Sequence, residues 1–99
     1  MSDIALERWF LGRNPPVPKP FLPFLLATGI DATGLPSLAG SGIAALKRAL
    51  ELPGRDREAA FHLLSADALL TYACEEALSG PDVRGGLEGL FELIGNTLR

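Results

Sequence analysis

The chain has 99 residues, of which 47% are apolar, and its 12 acidic and 9 basic side chains give a net charge of −3. One cysteine and one histidine exclude a disulfide scaffold and a metal centre built from several Cys or His ligands. The negative charge argues against nucleic-acid binding by bulk positive charge, and no apolar run is long enough to predict a membrane span.

Leucine and alanine dominate the apolar residues, because the chain has 19 Leu and 13 Ala but only 6 Val and Ile together. Unbranched and γ-branched side chains lose little rotamer freedom in a helix, whereas β-branched ones favour strands. The composition therefore predicts an all-α fold. We expect a single helical domain over residues 1–99, a small irregular bundle of four to five helices with an extended proline-rich N-terminal connector.

The first 30 residues predict two helices joined by this connector. Ser2 is a good N-cap for a helix over residues 3–11, which ends at the glycine that follows. Residues 13–23 hold five of the eight prolines, which remove amide donors and keep the preceding residue out of the helical region, so an extended segment is predicted. The apolar residues 21–30, which overlap its end, predict a short buried helix that ends near Gly29.

The middle of the chain predicts a loop followed by a helix. Residues 31–42 contain three glycines and one proline, which is typical of a loop or a broken helical turn. A helix is expected over residues 42–52, with Ile43, Leu46 and Leu50 facing inward. The Pro-Gly pair that follows ends this helix.

Two more helices are predicted in the C-terminal half. Asp56 is the N-cap of a helix that runs to residue 78, either unbroken or divided at Ser65, where a Ser-Ala-Asp sequence resembles a second cap. Asp82 caps a last helix over residues 82–98. Three glycines in its first half each cost on the order of 1 kcal/mol relative to Ala. They indicate either a late start near Leu87 or tight packing against a neighbouring helix.

The helix over residues 56–78 carries a continuous heptad-type seam. Its six members are spaced 4, 3, 4, 3 and 4 residues apart, and four of them are alanine, which lets two helix axes approach closely. The seam consists of Ala59, Leu63, Ala66, Leu70, Ala73 and Ala77. It predicts either a helix-packing surface within the chain or a dimer seam that pairs two copies across a two-fold axis.

A polar stripe of Asp67, Thr71 and Cys74 runs along the same helix among leucines. It is a candidate buried polar stripe, because an unpartnered buried carboxylate is a usual mark of a working acid or base. The alternative, which we favour, is that Asp67 caps a helix break or reaches solvent and that Cys74 is a small core residue. His62 lies about 18 Å along the helix axis from Cys74 and is expected to pair with Glu58, four residues earlier.

The sequence predicts no catalytic residues, no metal site and no cofactor, so an enzyme is the less favoured class. The first functional hypothesis is a non-catalytic interaction or assembly protein that forms a homodimer or binds another protein, because 47% apolar residues are many for 99 residues to bury. The second is a small-ligand-binding protein or minor enzyme with an inter-helix apolar pocket near Asp67. That pocket is predicted to be lined by Phe21, Phe24, Phe61, Tyr72 and Trp9. The lack of a secretion signal and the single thiol predict a cytoplasmic location.

Overall fold

The computed structural model describes residues 1–54 and 56–98, and in these residues the chain forms five α-helices packed together and no strand. The side chains of residues 97 and 98 are not described. The helices are α1 (Asp3–Leu11), α2 (Leu22–Leu26), α3 (Leu35–Glu51), α4 (Arg57–Ser79) and α5 (Val83–Leu98), with a 3₁₀ turn at Lys19–Phe21 before α2. The all-α prediction is confirmed. None of the described helices is long and apolar enough to cross a membrane.

Three helices begin at the side-chain caps that the sequence predicts. The Ser2 hydroxyl accepts a hydrogen bond from the Ala5 amide at the start of α1. The Asp56 carboxylate accepts from the Glu58 amide at the start of α4, and Asp82 accepts from an amide in the first turn of α5. Each cap satisfies an amide that has no partner inside its helix, so these starting points are local properties of the sequence.

Helix α3 begins seven residues earlier than predicted. The loop expected over residues 31–42 is wrong from Leu35 onward, because Pro36 stands in the first helical turn and the following glycines lie inside the helix. A Cβ atom at Gly42 would lie only 2.9 Å from Leu70 Cγ of α4, so this glycine serves close helix packing. The inward position predicted for Leu50 is also wrong, since its side chain is 73% exposed.

The extended proline-rich connector predicted over residues 13–23 is not confirmed. Residues 12–18 are not helical, but the 3₁₀ turn and α2 occupy the remainder of the predicted segment. Pro20 and Pro23 stand in the first turns of these two elements, where proline is tolerated because the amide has no helical partner. Val17 is buried within the non-helical part, and its amide donates to the Phe10 carbonyl over 3.4 Å.

Helix α4 is continuous over 23 residues, with no break at Ser65. It packs against both α3 and α5, and α5 also contacts α3. Helix α5 begins at Val83 without a late start, and a Cβ atom at Gly86 would lie 2.9 Å from the Ala77 carbonyl oxygen. Tight packing against a neighbour is therefore the reason for a glycine at this position.

The N-terminal segments cover the other side of α4. Helices α1 and α2 contact each other, α2 contacts α4, and the rings of Trp9 and Phe10 on α1 meet Tyr72 of α4. Every helix contributes to one core cluster, which consists of Leu6, Phe10, Val17, Leu22, Leu25, Ile30, Leu38, Ala39, Leu69, Ala73 and Leu90.

Candidate functional site

The heptad seam of α4 is largely buried inside the chain. All four of its alanines, Ala59, Ala66, Ala73 and Ala77, are buried. Leu70 is half-buried and lies directly over Gly42 of α3. The seam is thus covered by the chain's own helices, and no run of exposed alanines is left for a second copy to pair with.

Leu63 is the exception among the seam residues, because its side chain is 54% exposed. The buried side of α4 instead includes Ser65 and Leu69, which heptad spacing did not identify. An α-helix advances about 100° per residue, so a helix covered on several sides buries positions that a single 4-3 pattern leaves out.

The polar stripe of Asp67, Thr71 and Cys74 is exposed along its whole length. The prediction of a buried stripe is wrong, and so is the prediction of Cys74 as a core residue. Asp67 reaches solvent, as in the alternative given for it. The physical reason is that none of the described elements covers this side of α4.

The stripe and three leucines together form one surface, which we call the outer face of α4. The leucines are Leu63, Leu64 and Leu78, each more than half exposed at 54%, 53% and 56%. With the stripe residues they fall within an arc of about 100° on the helix circumference. The three leucines therefore place exposed apolar side chains along one side of the longest helix.

A pocket of about 440 Å³ opens beside this face, and we call it the Asp67 pocket. One wall is the non-helical segment after α1, and the other is the middle of α4. Its lining residues are Pro15, Pro16, Val17, Pro18, Phe21, Leu64, Asp67, Ala68 and Tyr72. The structure therefore brings three of the predicted pocket residues together, namely Phe21, Asp67 and Tyr72. The wall formed by residues 15–18, which we call the proline wall, was not predicted, because contact between the prolines and α4 is a tertiary feature.

The polar groups of the Asp67 pocket are few. The Asp67 carboxylate is exposed and makes no hydrogen bond or ion pair with any residue that the structure describes. Burial raises the pKa of Tyr72, the negative charge of Glu75 raises it further, and the positive charge of Arg13 opposes both. Trp9 does not line the pocket but packs edge-on behind Tyr72, with ring centroids 5.6 Å apart.

A second pocket of about 190 Å³, the His62 pocket, lies between α2 and the first half of α4. It is lined by Phe24, Ala27, Thr28, Glu58, Phe61, His62 and Ser65. Phe24 and Phe61, also predicted for a pocket, stack here with ring centroids 4.2 Å apart. At this volume the pocket is smaller than the range of about 300–1,000 Å³ typical of ligand sites.

The His62 pocket contains the side-chain types of a nucleophile, a base and an orienting acid, namely Ser65, His62 and Glu58. The expected pairing of His62 with Glu58 is confirmed, with Nε2 3.6 Å from Oε1. However, Nε2 is covered and has no hydrogen-bond partner, and no hydrogen bond joins His62 to Ser65 in the described part of the chain. Nucleophilic catalysis needs the base within hydrogen-bond reach of the nucleophile, so these side chains are not arranged as a catalytic set.

Comparison with known proteins identifies no relative. The sequence matches no protein-family model, and neither the curated proteins nor the solved structures contain a significant match. Among the residues that the structure describes, no three His, Cys, Asp or Glu side chains form a group able to hold a metal ion.

Proposed function

We propose that the protein is a non-catalytic interaction protein that self-associates through the outer face of α4. The observation that carries this proposal is the exposure of Leu63, Leu64 and Leu78 on one side of the longest helix. Covering the exposed half of one leucine contributes on the order of 1 kcal/mol, and a two-fold pair covers six such side chains. A homodimer is thus one way to remove this apolar surface from water.

The spacing of the leucines supports a two-fold arrangement. Leu63 and Leu78 lie at nearly equal distances on either side of Thr71. If two copies of α4 cross antiparallel near Thr71, Leu63 of each copy approaches Leu78 of the other. Asp67 then lies opposite Cys74, so the pairing requires no contact between two carboxylates. An isologous interface of this kind uses the same surface on both copies.

The oligomeric state tests the proposal directly. We expect light scattering after size exclusion to give about twice the chain mass of 10.5 kDa at a concentration of about 100 µM. The variants Leu63→Glu and Leu78→Glu should return the mass to that of one chain, because each introduces a charge into the interface. Leu50→Glu is the matched control, since Leu50 is a leucine exposed to solvent on α3, at 73%, and the substitution should leave the mass unchanged. A wild-type chain that is monomeric at this concentration contradicts the proposal.

A second candidate function is small-ligand binding in the Asp67 pocket. Its volume of about 440 Å³ lies in the usual range for ligand sites, and a mostly apolar lining with a few polar groups is typical of them. Because Trp9 is the single tryptophan and packs against Tyr72, its fluorescence should report a ligand in this pocket.

For either function we propose a cytoplasmic location, because the single cysteine has no partner within the chain for a disulfide.

A further inference from the structure

We infer that the Asp67 pocket binds a small organic amine, a molecule with a cationic ammonium group on an apolar body. This inference rests on the second candidate function and names the chemical class of ligand that the pocket accepts. Its basis is that the described lining offers apolar surface and hydrogen-bond acceptors but almost no donors.

The proline wall has no free main-chain donor. Pro15, Pro16 and Pro18 have no amide hydrogen. Val17 is the only residue among them with an amide, and that amide already donates to the Phe10 carbonyl. Carbonyl oxygens are therefore the polar main-chain groups that this wall can present, and an anion finds no main-chain donor there.

The wall formed by α4 is also poor in donors. Main-chain amides in the middle of a helix are used in its own hydrogen bonds, so the side chains decide the chemistry. Asp67 is the one charged residue among those that line the pocket, and its carboxylate has no cationic partner in the described part of the chain. The Tyr72 hydroxyl supplies a single donor. An ammonium group provides the hydrogen-bond donors and the positive charge that these groups lack.

Aromatic rings add a second source of attraction for a cation. Phe21 and Tyr72 both line the pocket, and the face of an aromatic ring attracts a cation through its quadrupole. Arg13 does not compete for this position. Its guanidinium lies over the Trp9 ring, 3.9 Å from the centroid, and its Nε donates to the Trp9 carbonyl over 3.1 Å. The apolar body of the ligand would then pack on the proline rings and Leu64.

Titration with three molecules of similar shape tests the inference. We would titrate 2-phenylethylammonium, neutral 2-phenylethanol and anionic phenylacetate at neutral pH. The readouts are Trp9 fluorescence and the amide chemical shifts of α4. We expect the ammonium to bind at least about tenfold more tightly than the other two, because only it forms a charge-assisted hydrogen bond with Asp67. The shifts should concentrate around Asp67 and Tyr72.

Substitution of the carboxylate should remove this preference. Asp67→Asn keeps the shape of the side chain and should reduce the difference between ammonium and alcohol to less than about threefold. Glu92→Gln is the control for net charge, because Glu92 is exposed on α5 and does not line the pocket. The titration is repeated with Leu78→Glu, which leaves the pocket lining intact, so that any self-association does not affect the result.

The possible results separate the inference from the candidate function on which it rests. If all three molecules bind equally well, or if Asp67→Asn leaves the preference unchanged, the pocket binds ligands but the amine assignment is wrong. Tighter binding of phenylacetate also overturns the amine assignment. If none of the three binds and no amide shifts, both the amine assignment and the ligand-binding function are overturned.

Discussion

Tyr72 is the residue at which the N-terminal segment and α4 meet. Its ring packs against Trp9 and Phe10, with centroid distances of 5.6 and 6.0 Å, while one edge lines the Asp67 pocket. Burial of the phenol and the nearby Glu75 carboxylate both disfavour the phenolate, which raises the pKa of Tyr72. The native chain therefore holds this proton more tightly than the unfolded chain does.

This difference predicts a loss of stability at alkaline pH. The contribution of Tyr72 is fully present below its unfolded pKa of about 10 and is lost as the pH rises from there through the higher folded pKa. Tyr72→Phe cannot ionise and should lack this loss. Urea unfolding at about pH 8 and about pH 11 gives the change in the free energy of unfolding of each protein. The change in the wild type minus the change in the variant is the contribution of Tyr72. Equal changes in both proteins would contradict the assignment.

At the scale of elements, the contact between α3 and α4 explains both the accurate and the mistaken predictions. Periodicity predicted a helix-packing surface or a dimer seam on the alanine side of α4, and in the structure these alanines are buried. It missed the beginning of α3, because Gly34, Pro36 and the glycines after them resemble a loop when each is judged by its own propensity. The apolar residues Leu35, Leu38, Ala39 and Ile43 already have helical spacing in the sequence. Packing against α4 stabilises a helix that local propensity alone disfavours.

Two glycines in α3 provide a matched test of this packing. At Gly42 an added Cβ atom would meet Leu70, whose main-chain nitrogen lies 3.2 Å away, whereas at Gly40 nothing lies within 4 Å. We expect Gly40→Ala to stabilise the protein by up to about 1 kcal/mol, since alanine is the better helix former. Gly42→Ala should destabilise it by about 1–3 kcal/mol through overpacking. Equal free energies of unfolding for the two variants would show that the helices do not approach closely here.

At the scale of the whole molecule, Phe10 links the N-terminal segment to the helical core. Its side chain is fully buried, and its carbonyl accepts the Val17 amide. These contacts attach α1 and the proline wall to α4, and that attachment forms the Asp67 pocket. The pocket therefore depends on the fold of the entire chain and not on one helix.

Phe10→Ala should cost about 3–5 kcal/mol, because it removes a large buried ring and leaves a cavity. A loss of this size is a large share of the 5–15 kcal/mol typical of small proteins. Urea unfolding followed by helical circular dichroism measures the free energy, and Trp9 fluorescence reports the local change. Ile4→Ala on the exposed side of α1 is the control and should stay within about 0.5 kcal/mol of the wild type. A similar cost for both variants would mean that Phe10 is not part of the core.

The sequence by itself determined the helical class and the beginnings of α1 and α4. These features are local, because a leucine- and alanine-rich composition favours helices and a capping side chain acts on amides two or three residues away. Only the tertiary structure decided the beginning of α3, the exposure of Leu63 and of the polar stripe, and the proline wall beside Asp67. The physical reason is that burial depends on which distant segment covers a surface, and one helix with apolar residues on two sides does not specify which side its neighbours leave open.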